Sequence, residues 1–149
     1  MPPQWSPTAI TGRSSHAPAV AMSAAAAARR PVLLVEDDVG IAEGIRDLLE
    51  MEGYEVVWSQ DGAEGLDVLR RLDPLPMLIL LDLMMPRVDG FEFRARQRAD
   101  ARLAAIPVLV LTADPTPPDR LAQLDAAILR KPFGVDELLA AIRAATGAP

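Results

Sequence analysis

The sequence predicts an α/β fold: an open, doubly wound parallel sheet of five strands interleaved with five helices. Three observations predict it. From Pro31 onward, short apolar runs alternate with stretches whose apolar residues recur at helical spacing. The runs are apolar throughout rather than at every second residue, as strands of a parallel sheet buried on both faces require. Several runs also end abruptly in polar residues, as strands do where they leave a sheet for a loop.

Val32–Val35 is the first strand. Ile41, Ile45, Leu48 and Leu49 fall at i, i+4, i+7 and i+8, one face of a helix that Asp38 caps and Gly53 stops. Tyr54–Trp58 is the second strand, with Tyr54 and Trp58 read as packing residues. Asp61 with Glu64 three residues on forms a capping box. It opens a helix with Leu66, Leu69 and Leu72 inward, closed by Pro74. Met77–Leu81 is the third strand, and a loop with Pro86 and Gly90 leads to a helix over Phe91–Ala101. Val108–Leu111 is the fourth strand. A short helix preceded by prolines covers Asp119–Asp125, and Ala127–Arg130 is the fifth strand. Val135, Leu138, Leu139 and Ile142 mark the last helix.

Ligands of such sheets bind outside the carboxyl ends of the strands. The first, third, fourth and fifth strands end in Glu36-Asp37, Asp82, Thr112 and Lys131, so these residues share one edge. Lys131 is the only lysine beside fourteen arginines. An ammonium is a compact point charge, whereas a guanidinium is a wide planar fork, so this place is expected to need the smaller cation. Carboxylates on adjacent strand ends repel one another unless a cation neutralises them. An all-oxygen, partly hydrated set suits Mg2+. With the metal bound, one carboxylate can attack a phosphoryl group, a transfer that needs positioning and charge neutralisation more than acid–base chemistry.

Composition excludes much else. There is no cysteine, hence no disulfide, thiolate metal site or cysteine nucleophile, and the one histidine, His16, precedes the folded part. Residues 1–30 carry Arg13, Arg29 and Arg30 and no acid, leaving 12 basic against 21 acidic residues in the remainder. So acidic a domain is unsuited to nucleic acid. Residues 1–30, rich in Ala, Pro and Ser, read as a disordered leader, and 31–147 as the folded domain. Met22 is an alternative start, which would leave residues 1–21 untranslated. No segment reaches the length of a membrane span, and Ala17–Ala28 is too weakly apolar for a secretory core, so a cytoplasmic protein is expected.

The chain resembles the receiver domain of two-component response regulators, from Pro31 to about Thr146. The resemblance rests on Val-Glu-Asp-Asp after the first strand, Leu-Leu-Asp-Leu-Met-Met-Pro-Arg-Val-Asp-Gly around Asp82, Leu-Thr-Ala at Thr112 and Lys-Pro-Phe at Lys131. It implies a flavodoxin-like (βα)5 fold, similar to chemotaxis-type receivers. Asp82 would accept the phosphoryl group from a histidine kinase or histidine phosphotransfer protein. Asp37, Asp82 and the backbone carbonyl of Met84 would hold Mg2+, with Glu36 acting through a bound water. Thr112 would hydrogen-bond the phosphoryl group and Lys131 would pair with it, and the Lys131–Pro132 bond would be cis. Such a domain switches a protein-binding surface, and its own catalysis is limited to self-phosphorylation and slow hydrolysis.

The chain departs from the family's pattern in several places. Ile128 stands three residues before the lysine, where receivers often carry an aromatic that swings on phosphorylation. Only 19 residues separate Thr112 from Lys131, and Pro115, Pro117 and Pro118 lie among them, so the fourth helix should be short and output should use another surface. Arg94 and Gln97 sit where receivers place leucine, so the third helix is expected to be rotated or covered by a partner, with Gln97 at least partly exposed. Met84 and Asp114 lie where the family tunes phosphoryl lifetime. The chain ends soon after the last helix, as in a stand-alone receiver or one cut from a longer protein. Two other functions compete. One is a degenerate receiver that binds proteins without phosphate. The other is an aspartate-nucleophile phosphatase of the haloacid-dehalogenase type, which wants an aspartate where Met84 stands.

Overall fold

A computed structural model describes residues 30–113 and 115–147 of the chain. The leader expected over residues 1–30 thus falls, but for Arg30, outside the described residues, as does Asp114. The elements are β1 (Val32–Val35), α1 (Val39–Met51), β2 (Val56–Ser59), α2 (Gly62–Arg71), β3 (Leu78–Asp82), α3 (Gly90–Ala99), β4 (Val108–Thr112), α4 (Pro118–Ala122), β5 (Ala127–Arg130) and α5 (Val135–Thr146). All strand pairs are parallel, in the order β2-β1-β3-β4-β5. The expected five-stranded doubly wound sheet is therefore the observed one.

Every residue of β1, β3 and β4 is buried, which is why those runs carry no polar alternation. Their side chains divide by the two-residue period of a strand. Leu33, Val35, Ile79, Leu81, Val108 and Val110 pack with Leu66, Leu69, Phe93 and Leu121 of α2, α3 and α4. Val32, Leu34, Leu78, Leu80, Leu109 and Leu111 pack with Ala42, Ile45, Leu49, Leu138 and Ile142 of α1 and α5. Each such fully buried aliphatic contributes about 1.5–3 kcal/mol relative to exposure. β2 and β5 are the edges and are less covered.

Helix starts are set by side-chain caps. The amides of Ile41, Glu64 and Glu92 donate to the carboxylates of Asp38, Asp61 and Asp89 at 2.8–2.9 Å. Glu64 reaches back to accept from the Gln60 amide, one residue before the cap. Gly53 takes the left-handed conformation (φ 94°) that lets the chain turn from α1 into β2. As the three prolines imply, α4 spans only five residues. Among the described residues, no helix is long and apolar enough to cross a membrane.

The third helix corrects the sequence-based expectation. Gln97 is fully buried and Arg94 nearly so. The helix is not turned away from the core, because α3 buries Phe93, Arg94 and Gln97 together. What makes the burial tolerable is complete hydrogen bonding. The Arg94 guanidinium donates to the carbonyls of Leu124 and Asp125, both at 2.7 Å, and to Gln97 Oε1 at 2.8 Å. Gln97 Nε2 donates in turn to the carbonyls of Leu103 and Ile106 at 3.0 and 3.1 Å. Two polar side chains thus occupy buried positions by serving backbone carbonyls just past α4 and ahead of β4.

Candidate functional site

The carboxyl ends of β1, β3, β4 and β5 meet on one edge. β1 delivers Glu36 and Asp37, and its neighbour β3 ends in Asp82. Carboxylate oxygens of Glu36, Asp37 and Asp82 lie within 4.8 Å of one another. Lys131, just past β5, reaches across the edge. Its Nζ donates to Glu36 Oε1 at 3.0 Å and stands 3.6 Å from Asp82 Oδ1. Glu36 Oε2 accepts from the Asp38 amide at 3.2 Å, so both oxygens of this buried carboxylate are engaged. The Lys131 amide donates to the Thr112 carbonyl at 2.8 Å, and the Lys131–Pro132 peptide is cis, as the resemblance implied. Thr112 is buried on β4 one residue beyond Leu111, the register partner of Asp82.

The loop after β3 is held from below. Leu83, Met85 and Val88 are buried, while Met84, Pro86 and Arg87 are exposed. The Gly90 amide closes the loop onto the Leu83 carbonyl at 2.9 Å. A Cβ at Gly90 would lie 2.7 Å from the Cα of Leu83 and 2.8 Å from the Asp82 carbonyl oxygen, so only glycine lets α3 begin this close to the site. Arg87, at φ 66°, forms an ion pair with Asp61 at the start of α2. Sequence reasoning missed this pairing, and no periodicity would have revealed it.

Electrostatics follow from the crowding. Burial, then the charge of Glu36, pushes the Asp82 carboxyl up to about 7, against the opposing pull of Lys131. Burial works against the Lys131 ammonium, but the Glu36 hydrogen bond and the charges of Asp82 and Glu36 outweigh it, so its pKa lies above the ordinary value. Three carboxylates answered by one ammonium leave the site with net negative charge. Such an all-oxygen cluster is suited to a divalent cation, and within it Glu36 and Asp82 each lie beside both an acid and the lysine. Met84 contributes no side-chain ligand, because a soft thioether does not suit a hard cation that takes oxygen donors. The structure therefore brings Glu36, Asp37, Asp82 and Lys131 into direct proximity, with Thr112 on the same edge.

One further residue belongs to this region. The Trp58 indole Nε1 donates to the Glu36 carbonyl at 2.9 Å. From the sequence alone it reads as a packing residue. The available signal was general: a buried indole N–H seeks an acceptor.

Comparison with known proteins agrees with this geometry. Residues 32–143 match the model of the response regulator receiver domain. The chain is 43% identical over 116 residues to the DNA-binding dual master transcriptional regulator RpaA of Synechocystis sp., covering 76% of this chain and 47% of that protein. It is 41% identical over 116 residues to response regulator MprA of a Mycobacterium sp., covering 76% and 49%. The chain spans about half the length of these curated relatives. Among solved structures it is similar to Vibrio cholerae chemotaxis protein CheY4, with a TM-score of 0.71, 29% identity and coverage of 78% of this chain and 98% of that one. It is likewise similar to the bacteriophytochrome response regulator RtBRR, with a TM-score of 0.70, 35% identity and coverage of 80% and 78%. Five parallel strands in this order, the acidic edge facing one lysine, and these matches lead to one conclusion: the chain belongs to the response regulator receiver domain family.

Proposed function

We propose that the chain is a cytoplasmic phosphorylation switch in which Asp82 takes a phosphoryl group from a partner histidine kinase or histidine phosphotransfer protein. The observation that carries the reading is the convergence of Glu36, Asp37 and Asp82 oxygens within 4.8 Å beside Lys131 Nζ. In the transfer, an Asp82 oxygen attacks phosphorus, the bond from phosphorus to the donor histidine nitrogen breaks, and an acyl phosphate is left on Asp82. Asp37, Asp82 and the Met84 carbonyl would hold Mg2+, and Glu36, whose oxygens already accept from Lys131 and Asp38, fits an indirect role through water. Bound there, Mg2+ supplies charge neutralisation for the phosphoryl oxygens. Lys131 pairs with a phosphoryl oxygen by turning from Asp82, and the Thr112 hydroxyl donates to another. Burial of Asp82 limits the water that can hydrolyse the product.

The test is incubation with Mg2+ and acetyl phosphate followed by intact-mass measurement. One phosphoryl adduct is expected on the native chain, and none on Asp82→Asn or after chelation. An unmodified native chain under these conditions would refute the reading and favour phosphate-independent binding.

A further inference from the structure

We infer that Trp58 is a positioning residue for the acidic edge: its indole N–H locks the peptide between Glu36 and Asp37 and thereby presents their carboxylates to the cation. The inference rests on the proposed function and extends it to a residue outside the strand-end motifs.

The Glu36 carbonyl belongs to the peptide that joins Glu36 to Asp37, and a peptide is rigid. Fixing that oxygen fixes the amide of Asp37 and the position of its Cα. Trp58 Nε1 holds the oxygen at 2.9 Å. The Glu36 amide in turn donates to the Ser59 carbonyl at 3.1 Å. Two consecutive residues of β2 therefore hold Glu36 at its carbonyl and at its amide, one with a side chain and one with backbone. The indole is itself held, because it packs against the α1 and α5 face of the core and the Arg46 guanidinium lies 5.9 Å from its ring centroid. Packing alone would leave the indole free to choose any acceptor. Its acceptor here is the carbonyl between two acidic residues of the site. A second layer that orients ligand residues governs metal affinity in this way.

The test uses the full chain with Trp58 replaced by an analogue in which sulfur stands where the indole N–H was, and with Trp58→Phe alongside. Calorimetric Mg2+ titration is expected to show an affinity about 3- to 10-fold weaker in both, the range one lost hydrogen bond spans. Phosphoryl uptake from acetyl phosphate should be slow at limiting Mg2+ and should recover at saturating Mg2+. Amides of Asp37 and Asp38 in the metal-free protein should exchange faster by a similar factor in the sulfur analogue, whose packing is unchanged. The role is overturned if the sulfur analogue binds Mg2+ as tightly as the native chain. A native chain that binds no Mg2+ also overturns it, and that result is distinguishable because the failure is then the native protein's own.

Discussion

Two regions of this molecule bury charge, and they do so in opposite ways. Between α3, α4 and the start of β4, the Arg94 guanidinium and the Gln97 amide meet only acceptors suited to them, four carbonyls and each other. At the carboxyl edge of the sheet, Glu36, Asp37 and Asp82 face one another with a single ammonium between them. The first arrangement is satisfied within the chain, and it staples elements together. The second carries more negative charge than its one ammonium balances, and that excess suits it to a cation. Burial of a charged group is thus not itself the sign of function. The sign is burial without internal compensation.

The contrast can be broken at either end. The largest effect is expected at the edge: Asp82→Asn should abolish phosphoryl uptake, a loss of at least about 10³-fold measured as adduct formation, because no other nucleophile replaces it. In the staple, Arg94→Ala should destabilise the fold by roughly 3 kcal/mol in chemical denaturation, since the carbonyls of Leu124 and Asp125 and Gln97 Oε1 lose their donor together and a space is left where the side chain packed. It should leave Mg2+ affinity nearly unchanged, and a large loss of affinity would show the two regions to be coupled.

The edge should also reveal itself in pH. Because the folded Asp82 pKa is about 7 against 3.8 for the ordinary group, the native state keeps a proton that the unfolded chain releases across this window. Stability of the metal-free protein should therefore fall as pH rises from about 4 to about 7. Asp82→Asn should be more stable than the native chain at pH 8, on the order of 1 kcal/mol or more, with the gap closing toward pH 4. Saturating Mg2+ should narrow the gap at pH 8 by binding the ionised site. Thermal melts of both proteins across this range, with and without Mg2+, check it. The smallest effect is expected for Arg94→Leu combined with Gln97→Leu, which leaves four carbonyls without these donors but, unlike Arg94→Ala, fills the space and leaves no unpaired Gln97 oxygen. Its cost should be below that of Arg94→Ala, within about 1.5 kcal/mol of native. A double variant less stable than Arg94→Ala would mean that the carbonyls of Leu103, Ile106, Leu124 and Asp125 need those donors, whatever fills the space.

Much of the fold was legible because it depends on which residues are apolar. Leu33 and Leu34 point to opposite layers, yet both are leucine, and a run of four such residues declares a doubly covered strand. Site positions were legible for a related reason: Asp82 and Lys131 each end an apolar run on the same edge. Strand and helix limits shifted by a residue or two, as β2 did from Tyr54–Trp58 to Val56–Ser59. Gln97 was misjudged because periodicity counts the polarity of a side chain and is blind to the acceptors it will meet. Its acceptors are the main-chain carbonyls of Leu103 and Ile106, 6 and 9 residues on, invisible in any pattern of residue types. Trp58 was underread for the same cause, its partner being a carbonyl 22 residues back.

The loop beyond Asp82 alternates between anchors and free positions. Leu83, Met85, Val88 and Gly90 point inward or pack too tightly to change, while Met84, Pro86 and Arg87 stand in solvent. The scaffold and its adjustable parts are therefore interleaved residue by residue in one short segment. A lineage, or an engineer, can exchange what an approaching molecule encounters at positions 84 and 86 while the frame beneath keeps its shape, whereas Arg87 is tied to the start of α2 through Asp61. Timing and recognition can then drift independently of folding, which lets a chain diverge in its allegiances and still remain the same machine.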